Sequence, residues 1–397
     1  MNETTRRGLL QAPAALDWSG GSFDVVVVGA RVAGAATALH LARAGHKVLI
    51  VDRAGPPADT TSTHALMRTG TLALRQAGVL DTIIAAGTPT IREINLVFGE
   101  ERISFPVADA HGVDTYYAPR RTVLDPILLQ AAIDAGASFV PEVSVNGVSW
   151  DSRGRVDGIT VRDGAPIPAR WVIGADGTQS RVARSVNAPL LRYHPPSNAL
   201  VYAYFGGVDR PGYDFRFVDQ RNVGAIPTND GLTVLFVGGP LAEASRDGES
   251  YLMTTLARLA PDLVANGRRV GRLYRANGIP NVLRDPAGPG WNLVGDAGFT
   301  EDPSPRVGSP MRCVTPCSAP RPSIAHSATP PTSPKPKRRI GRRETASRCL
   351  CWIALSTWRA TTGRGPRLRD SCASWAKSPT PSANSSPNPF LRKKPRD

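Results

Sequence analysis

The chain has 397 residues, with 48 Lys+Arg against 33 Asp+Glu, a formal net charge of +15, and a 41% hydrophobic and 6% aromatic content. That length is ample to bury one large core or two modest ones. No apolar run approaches the roughly 20 residues that span a bilayer, which excludes a helical membrane protein, and the first 21 residues hold no apolar stretch of secretory-signal length, so a cytoplasmic protein is expected.

The run Phe23-Asp24-Val25-Val26-Val27-Val28 is β-branched and apolar, the pattern of a strand buried in a parallel sheet. A tight turn over residues 29–34 and a small-residue helix over 35–44, stopped by Gly45, should follow. Lys47-Val48-Leu49-Ile50-Val51-Asp52 reads as a second buried strand with an acid at its carboxyl end. Together these make a βαβ unit, whose crossover should be right-handed. Further along, the spacing predicts an amphipathic helix near 124–135, alternating strands across 138–161, and a strand over 170–174 ending in an Asp-Gly turn. A β-rich stretch over 200–238 then precedes a helix near 251–259, and no internal repeat is present.

The turn of the βαβ unit reads Gly29-Ala30-Arg31-Val32-Ala33-Gly34, and Asp52 lies 23 residues after Gly29. A dinucleotide fingerprint has G-x-G-x-x-G with an acid about 20 residues on. Gly29 permits a sharp exit from the strand, and Gly34 lets the helix pack close to the sheet. The helix N-terminus offers free N–H groups to a pyrophosphate, and Asp52 can accept hydrogen bonds from a ribose. Arg31 replaces the middle glycine, where it could add a cation beside the phosphates. The motif alone does not separate FAD from NAD(P).

Two later segments each place a carboxylate just past a strand's carboxyl end, where open α/β sheets bind ligands. One is Ala175-Asp176-Gly177-Thr178-Gln179-Ser180, and the other is Gly295-Asp296-Ala297. With them the chain resembles the FAD-dependent monooxygenases of the aromatic-hydroxylase type and the related geranylgeranyl reductases, over residues 22–303.

The resemblance implies an α/β fold: a Rossmann-like FAD-binding domain with a parallel sheet, plus a smaller mixed β-sheet substrate domain. It implies FAD held by Gly29, Ala30, Arg31, Ala33, Gly34, Asp52, Arg53, Arg121, Asp176, Gly177, Gly295 and Asp296. The arginine-bearing segment is Pro119-Arg120-Arg121-Thr122-Val123-Leu124-Asp125, and the substrate-covering sheet lies over 200–238, with Pro227 and Gly231 in a Pro-x-x-x-Gly pattern. Ala183 stands where the family places an arginine, and Arg184 follows one position late. No Trp-x-Trp-x-Ile-Pro occurs, which disfavours the halogenase branch.

The expected parts are an N-terminal arm (1–21), FAD-binding segments at 22–91, 119–190 and 286–303, substrate-domain segments at 92–118 and 191–285, and a basic tail (304–397). The chemistry implied is the cofactor's own. NADH or NADPH supplies electrons, and oxygen is then transferred to a small aromatic or apolar substrate, or hydride to an alkene. An NAD(P)-binding dehydrogenase is the alternative, but it leaves the Asp-Gly and Gly-Asp segments without a role. Neither flavin route needs a protein nucleophile. His64 is the one catalytic candidate, because it follows the acid at a distance that could bring it near the flavin ring; as a loop histidine it could equally be bonded to backbone. No metal site, specific nucleic-acid partner or membrane span is expected.

Beyond residue 303 the composition switches. Residues 304–397 carry 19 Lys+Arg, 3 Asp+Glu, 15 of the 36 prolines and all five cysteines, leaving 29 basic and 30 acidic residues in the body. Such a Pro/Ser/Arg-rich segment predicts disorder. Read one base out of frame, a permissible coding sequence for residues 304–321 translates as ITARGISDALRDAVLSAR, which resembles the loop and helix that follow the Gly-Asp segment in the family. A single-base deletion near codon 304 is therefore expected to have replaced the native C-terminus, and loss of that helix to impair this copy.

Overall fold

The computed structural model describes residues 23–302 apart from 56–58, 63, 163, 245 and 246. The N-terminal arm, the basic tail and the frame-shift expectation all lie outside the described residues.

The first half of the chain runs β1 (Phe23–Val28), α1 (Val32–Arg43), β2 (Val48–Val51), α2 (Arg68–Gln76), α3 (Leu80–Ala85), β3 (Thr90–Ile91), β4 (Glu93–Phe98), β5 (Glu101–Pro106) and β6 (Tyr116–Tyr117). It continues with α4 (Arg121–Asp134), β7 (Ser138–Val140), β8 (Val145–Trp150), β9 (Val156–Val161), β10 (Ile167–Gly174) and α5 (Arg181–Ser185). Next come β11 (Leu190–His194), β12 (Asn198–Gly206), β13 (Tyr213–Val218), β14 (Arg221–Pro227) and β15 (Thr233–Pro240). After α6 (Leu241–Ala244), α7 (Gly248–Leu259) and α8 (Pro261–Val264), the chain ends in β16 (Arg268–Ala276), β17 (Asn281–Arg284), β18 (Ala287–Gly288), β19 (Trp291–Leu293) and β20 (Phe299–Thr300).

Two large sheets organise these elements. In the first, β19, β10, β1, β2 and β7 lie side by side and parallel. Their apolar runs are buried on both faces, as parallel strands require. One face packs on α1 and α4, the other on the β8–β9 hairpin and α5. In the second sheet the order is β16-β12-β15-β14-β13-β4-β5, antiparallel except where β13 meets β4. One of its faces is covered by α6–α8 through Val201, Ala203, Val237, Leu252 and Leu256. Its other face carries aromatic side chains toward the first sheet's loops. This is an α/β fold with a parallel sheet and a second, mixed sheet.

The helix expected over 35–44 begins earlier, at Val32. Ala35 N–H already donates to Arg31 O (2.8 Å), so the turn is only three residues long and Gly34 lies inside the first helical turn. The helices over 68–85 are additions that the sequence reading did not name.

Candidate cofactor and substrate site

The register of the parallel sheet builds the site. Val28 is level with Val51 on one side and Gly174 on the other, and Gly174 is level with Leu293. Four strands therefore end flush, and the turns beginning at Gly29, Ala175 and Gly295 leave from one crest. Backbone bonds lock the exits: Gly29 N–H donates to Val51 O (2.8 Å), Ala175 N–H to Val28 O (2.8 Å), and Val294 N–H to Gly174 O (2.9 Å).

The glycines answer to contacts. Gly29 has φ +110°, and a Cβ there would strike Ala175 O. A Cβ on Gly34 would collide with Gly29 O. Across the crest Gly295 abuts Ala33. Thus the residues of all three motifs touch, 29 and 34 against 175, and 33 against 295. No side chain caps α1 and no acid stands in its first turn, so its positive end is open to an anion.

Asp52 Oδ2 accepts from Ala30 N–H (2.8 Å) and Oδ1 from Ala54 N–H (3.0 Å). Each oxygen keeps a lone pair for a ribose hydroxyl. Arg31 is exposed and donates through Nη1 to Thr60 Oγ1 (3.0 Å) in the loop after β2. Arg53 is exposed beside Asp52. Asp176 turns one oxygen onto α5, where Oδ2 accepts from Arg181 N–H (2.6 Å) and Val182 N–H (3.3 Å). Its Oδ1 is buried without a partner, and Gly177 beside it has φ +81°. Asp296 is exposed at the crest.

The two adjacent arginines diverge. Arg121 forms a bidentate pair with buried Asp125 (2.6 and 2.8 Å). Burial pushes the Asp125 carboxyl up, against the pull of Arg121. Arg120 instead reaches Asp59 Oδ2 (2.5 Å) and Asp230 Oδ2 (2.8 Å), with its guanidinium 4.5 Å from the Tyr204 ring centroid. Burial works against its charge, and the Asp59 contact more than offsets this, holding its pKa above the usual arginine value.

His64 lies in this second cluster. It is 2% exposed, with φ +65°. Nε2 is 2.6 Å from Tyr204 Oη, the rings stack at 5.7 Å, and Nδ1 is buried without a partner. Burial drives its pKa down to about 3, against the opposing charge of Asp59 and with help from Arg121 and Arg120, so the ring is neutral. A left-handed backbone costs about 1–3 kcal/mol, and an unmet buried hydrogen-bonding atom about the same.

Around it, Tyr274 Oη donates to Asp59 Oδ2 (3.1 Å), while Tyr202 Oη accepts from Ser62 N–H (2.9 Å). Burial raises both the Tyr202 and Tyr204 hydroxyls, keeping them protonated. Tyr202, Tyr204 and Tyr274 were missed in the sequence. The available signal was Tyr202-x-Tyr204, a period-two pair on one face of a strand, with Tyr274 opposite Tyr202 in the β12–β16 register. Among the described residues there is no group of side chains spaced to hold a metal ion, and no helix long and apolar enough to cross a membrane.

Comparison with known proteins bears on this crest directly. Residues 22–200 match the family described as FAD binding domain. The chain is 29% identical over 308 residues to a menaquinone reductase of Mycolicibacterium smegmatis, covering 70% of this chain and 71% of that protein. It is 32% identical over 275 residues to the probable electron transfer flavoprotein-quinone oxidoreductase YdiS of Escherichia coli, covering 66% of this chain but only 59% of that one. Solved structures with the same fold include the myxobacterial chondrochloren halogenase CndH (TM-score 0.64, 23% identity, covering 71% and 70%). They also include PqsL, a probable FAD-dependent monooxygenase from Pseudomonas aeruginosa (TM-score 0.59, 21% identity, covering 71% and 80%). The residues present fit FAD: three glycine-bearing turns leave one crest, the helix N-terminus there is uncapped and free of acidic side chains, and Asp52 keeps lone pairs for a ribose hydroxyl.

Proposed function

We propose, from the match of residues 22–200 to the FAD binding domain family and the reading of the chain as a flavin-dependent oxidoreductase, that it is an NAD(P)H-dependent monooxygenase acting on a small aromatic or apolar substrate. The observation that carries this reading is the flush crest where Gly29, Ala175 and Gly295 leave the sheet. FAD bound there would supply the redox chemistry, electron transfer between a nicotinamide donor and the substrate. The protein's own residues bind and orient. Gly29, Ala30, Ala33 and Gly34, with the α1 N-terminus, would hold the pyrophosphate, and Asp52 would hold the ribose. Arg31 and Arg53 flank the phosphates, Asp176 and Gly177 border the nicotinamide approach, and Gly295 and Asp296 hold the ribityl side. Arg121 braces the start of α4 through Asp125. The aromatic face of the second sheet excludes water and receives the substrate.

A second reading is favoured by the curated relatives named as quinone or menaquinone reductases, and assigns hydride transfer to an unsaturated substrate instead. Purified protein should be yellow and bleach anaerobically with NADH or NADPH. Hydroxylation then consumes oxygen in step with product, whereas alkene reduction proceeds without oxygen. A colourless protein that takes up no added FAD would overturn both readings.

A further inference from the structure

Five polar side chains meet between the loop after β2 and the aromatic face of the second sheet, and nearly all their atoms are matched. Arg120 is committed to Asp59 and Asp230, with its Cζ 4.5 Å from the Tyr204 ring centroid and its Nε, like His64 Nδ1, buried without a partner. Tyr274 is committed to Asp59. The ring of His64 is held by Tyr204 on one nitrogen, while the other is buried and unmatched. A buried polar atom without a partner is rare in a folded chain and asks what completes it. The strained backbone of His64 makes the same demand, since such conformations persist where the surroundings fix them and cluster at ligand sites.

We infer that His64 Nδ1 grips the carbonyl or hydroxyl oxygen of a neutral aromatic or quinonoid substrate lying among the tyrosines of the second sheet. The inference rests on the reading of the chain as an oxidoreductase for a small aromatic or apolar compound. Charge decides the class. The charged groups bearing on His64 are Asp59, Arg120 and Arg121. Arg120 is neutralised by Asp59 and Asp230, and Arg121 by Asp125. No net positive charge is left to offset the desolvation of a carboxylate, so an acid of the same ring size is rejected. A neutral imidazole can donate or accept through Nδ1 according to tautomer, and therefore suits a ketone or a phenol.

The test uses one ring in three forms: 2-naphthol, naphthalene and 2-naphthoate, titrated calorimetrically into the full-length protein loaded with FAD. The wild type should bind 2-naphthol about tenfold more tightly than naphthalene, the ratio expected for one buried hydrogen bond, and 2-naphthoate more weakly than either. His64→Gln keeps an amide near the Nε2 position for Tyr204 and should erase the hydroxyl preference. His64→Asn places an amide near Nδ1 and tolerates positive φ, so it should retain part of that preference. Equal affinities for naphthol and naphthalene in the wild type, which needs no variant, would overturn the inference. So would a preference that survives His64→Gln, or tight binding of 2-naphthoate. Flavin absorbance per chain should be equal in all three proteins; a loss confined to His64→Gln would assign Nδ1 to the cofactor and equally overturn it. Failure of the wild type to take up FAD would instead sink the oxidoreductase reading, while the heats of ligand binding still decide the role of His64.

Discussion

Asp52 performs structural and binding work with one carboxylate. By accepting from Ala30 and Ala54 it pins the glycine turn to the strand beside it, and it still presents lone pairs outward. Asp52→Ala should therefore cost more than ribose contacts, because the part-buried Ala30 N–H loses its acceptor at about 1–3 kcal/mol, while the exposed Ala54 N–H turns to water. Flavin retained per chain, read by absorbance after gel filtration, should fall steeply; full occupancy would count against the assignment of this acid. Arg31 makes the contrasting case. At the position where the fingerprint has its second glycine its guanidinium is drawn aside to Thr60, in the loop after β2.

At the scale of elements, the turn between β14 and β15 fastens the second sheet to the first. Asn229 accepts from Arg120 N–H (3.0 Å) and donates to Ala86 O (3.1 Å) and Thr88 Oγ1 (3.0 Å), while Thr228 Oγ1 donates to Ala118 O (2.5 Å). Asn229→Ala should lower stability by about 1–3 kcal/mol, on the basis of three lost bonds from a buried side chain, of which only that to Thr88 has a buried partner, read as a lower urea midpoint. The βαβ unit and the three crest turns were legible because their steric demands are local: a glycine where a Cβ collides, an acid at a strand end, a β-branched run. The helices over 68–85 were not, because they are short and broken at Gly78, too brief for a clear period. Nor could local pattern show that Arg120 rather than Arg121 turns toward Asp59, since one residue's rotation at a helix start separates the two directions.

For the molecule as a whole, neutral burial of His64 makes the fold sensitive to acid. Its pKa is about 3 when folded against an ordinary 6.5, so between those values the unfolded chain binds more protons. Stability is then fully present above about pH 6.5 and is lost as pH falls toward 3. Asp262, drawn down to about 2 chiefly by its hydrogen bond to Arg216, loses its contribution only below the ordinary carboxylate range. Urea midpoints should therefore decline between pH 7 and about pH 4.5, and the decline should be shallower in His64→Gln; equal slopes would mean that the imidazole is not held neutral. The cluster responsible was beyond sequence reading. Positions 59, 64, 120, 204 and 274 come together only through the β12–β16 register and the return of the loop after β2 onto it.

That loop is tied at both ends of the site. Arg31, beside the phosphate turn, holds Thr60, and four residues later the same loop carries His64 among the tyrosines. Whatever occupies one end and redirects the Arg31 guanidinium alters the freedom of the other. By thermodynamic reciprocity the two occupants must then change each other's affinity by one common factor. A single arginine–threonine contact thus joins the two ends of the site, and the coupling it carries is the same whichever occupant arrives first.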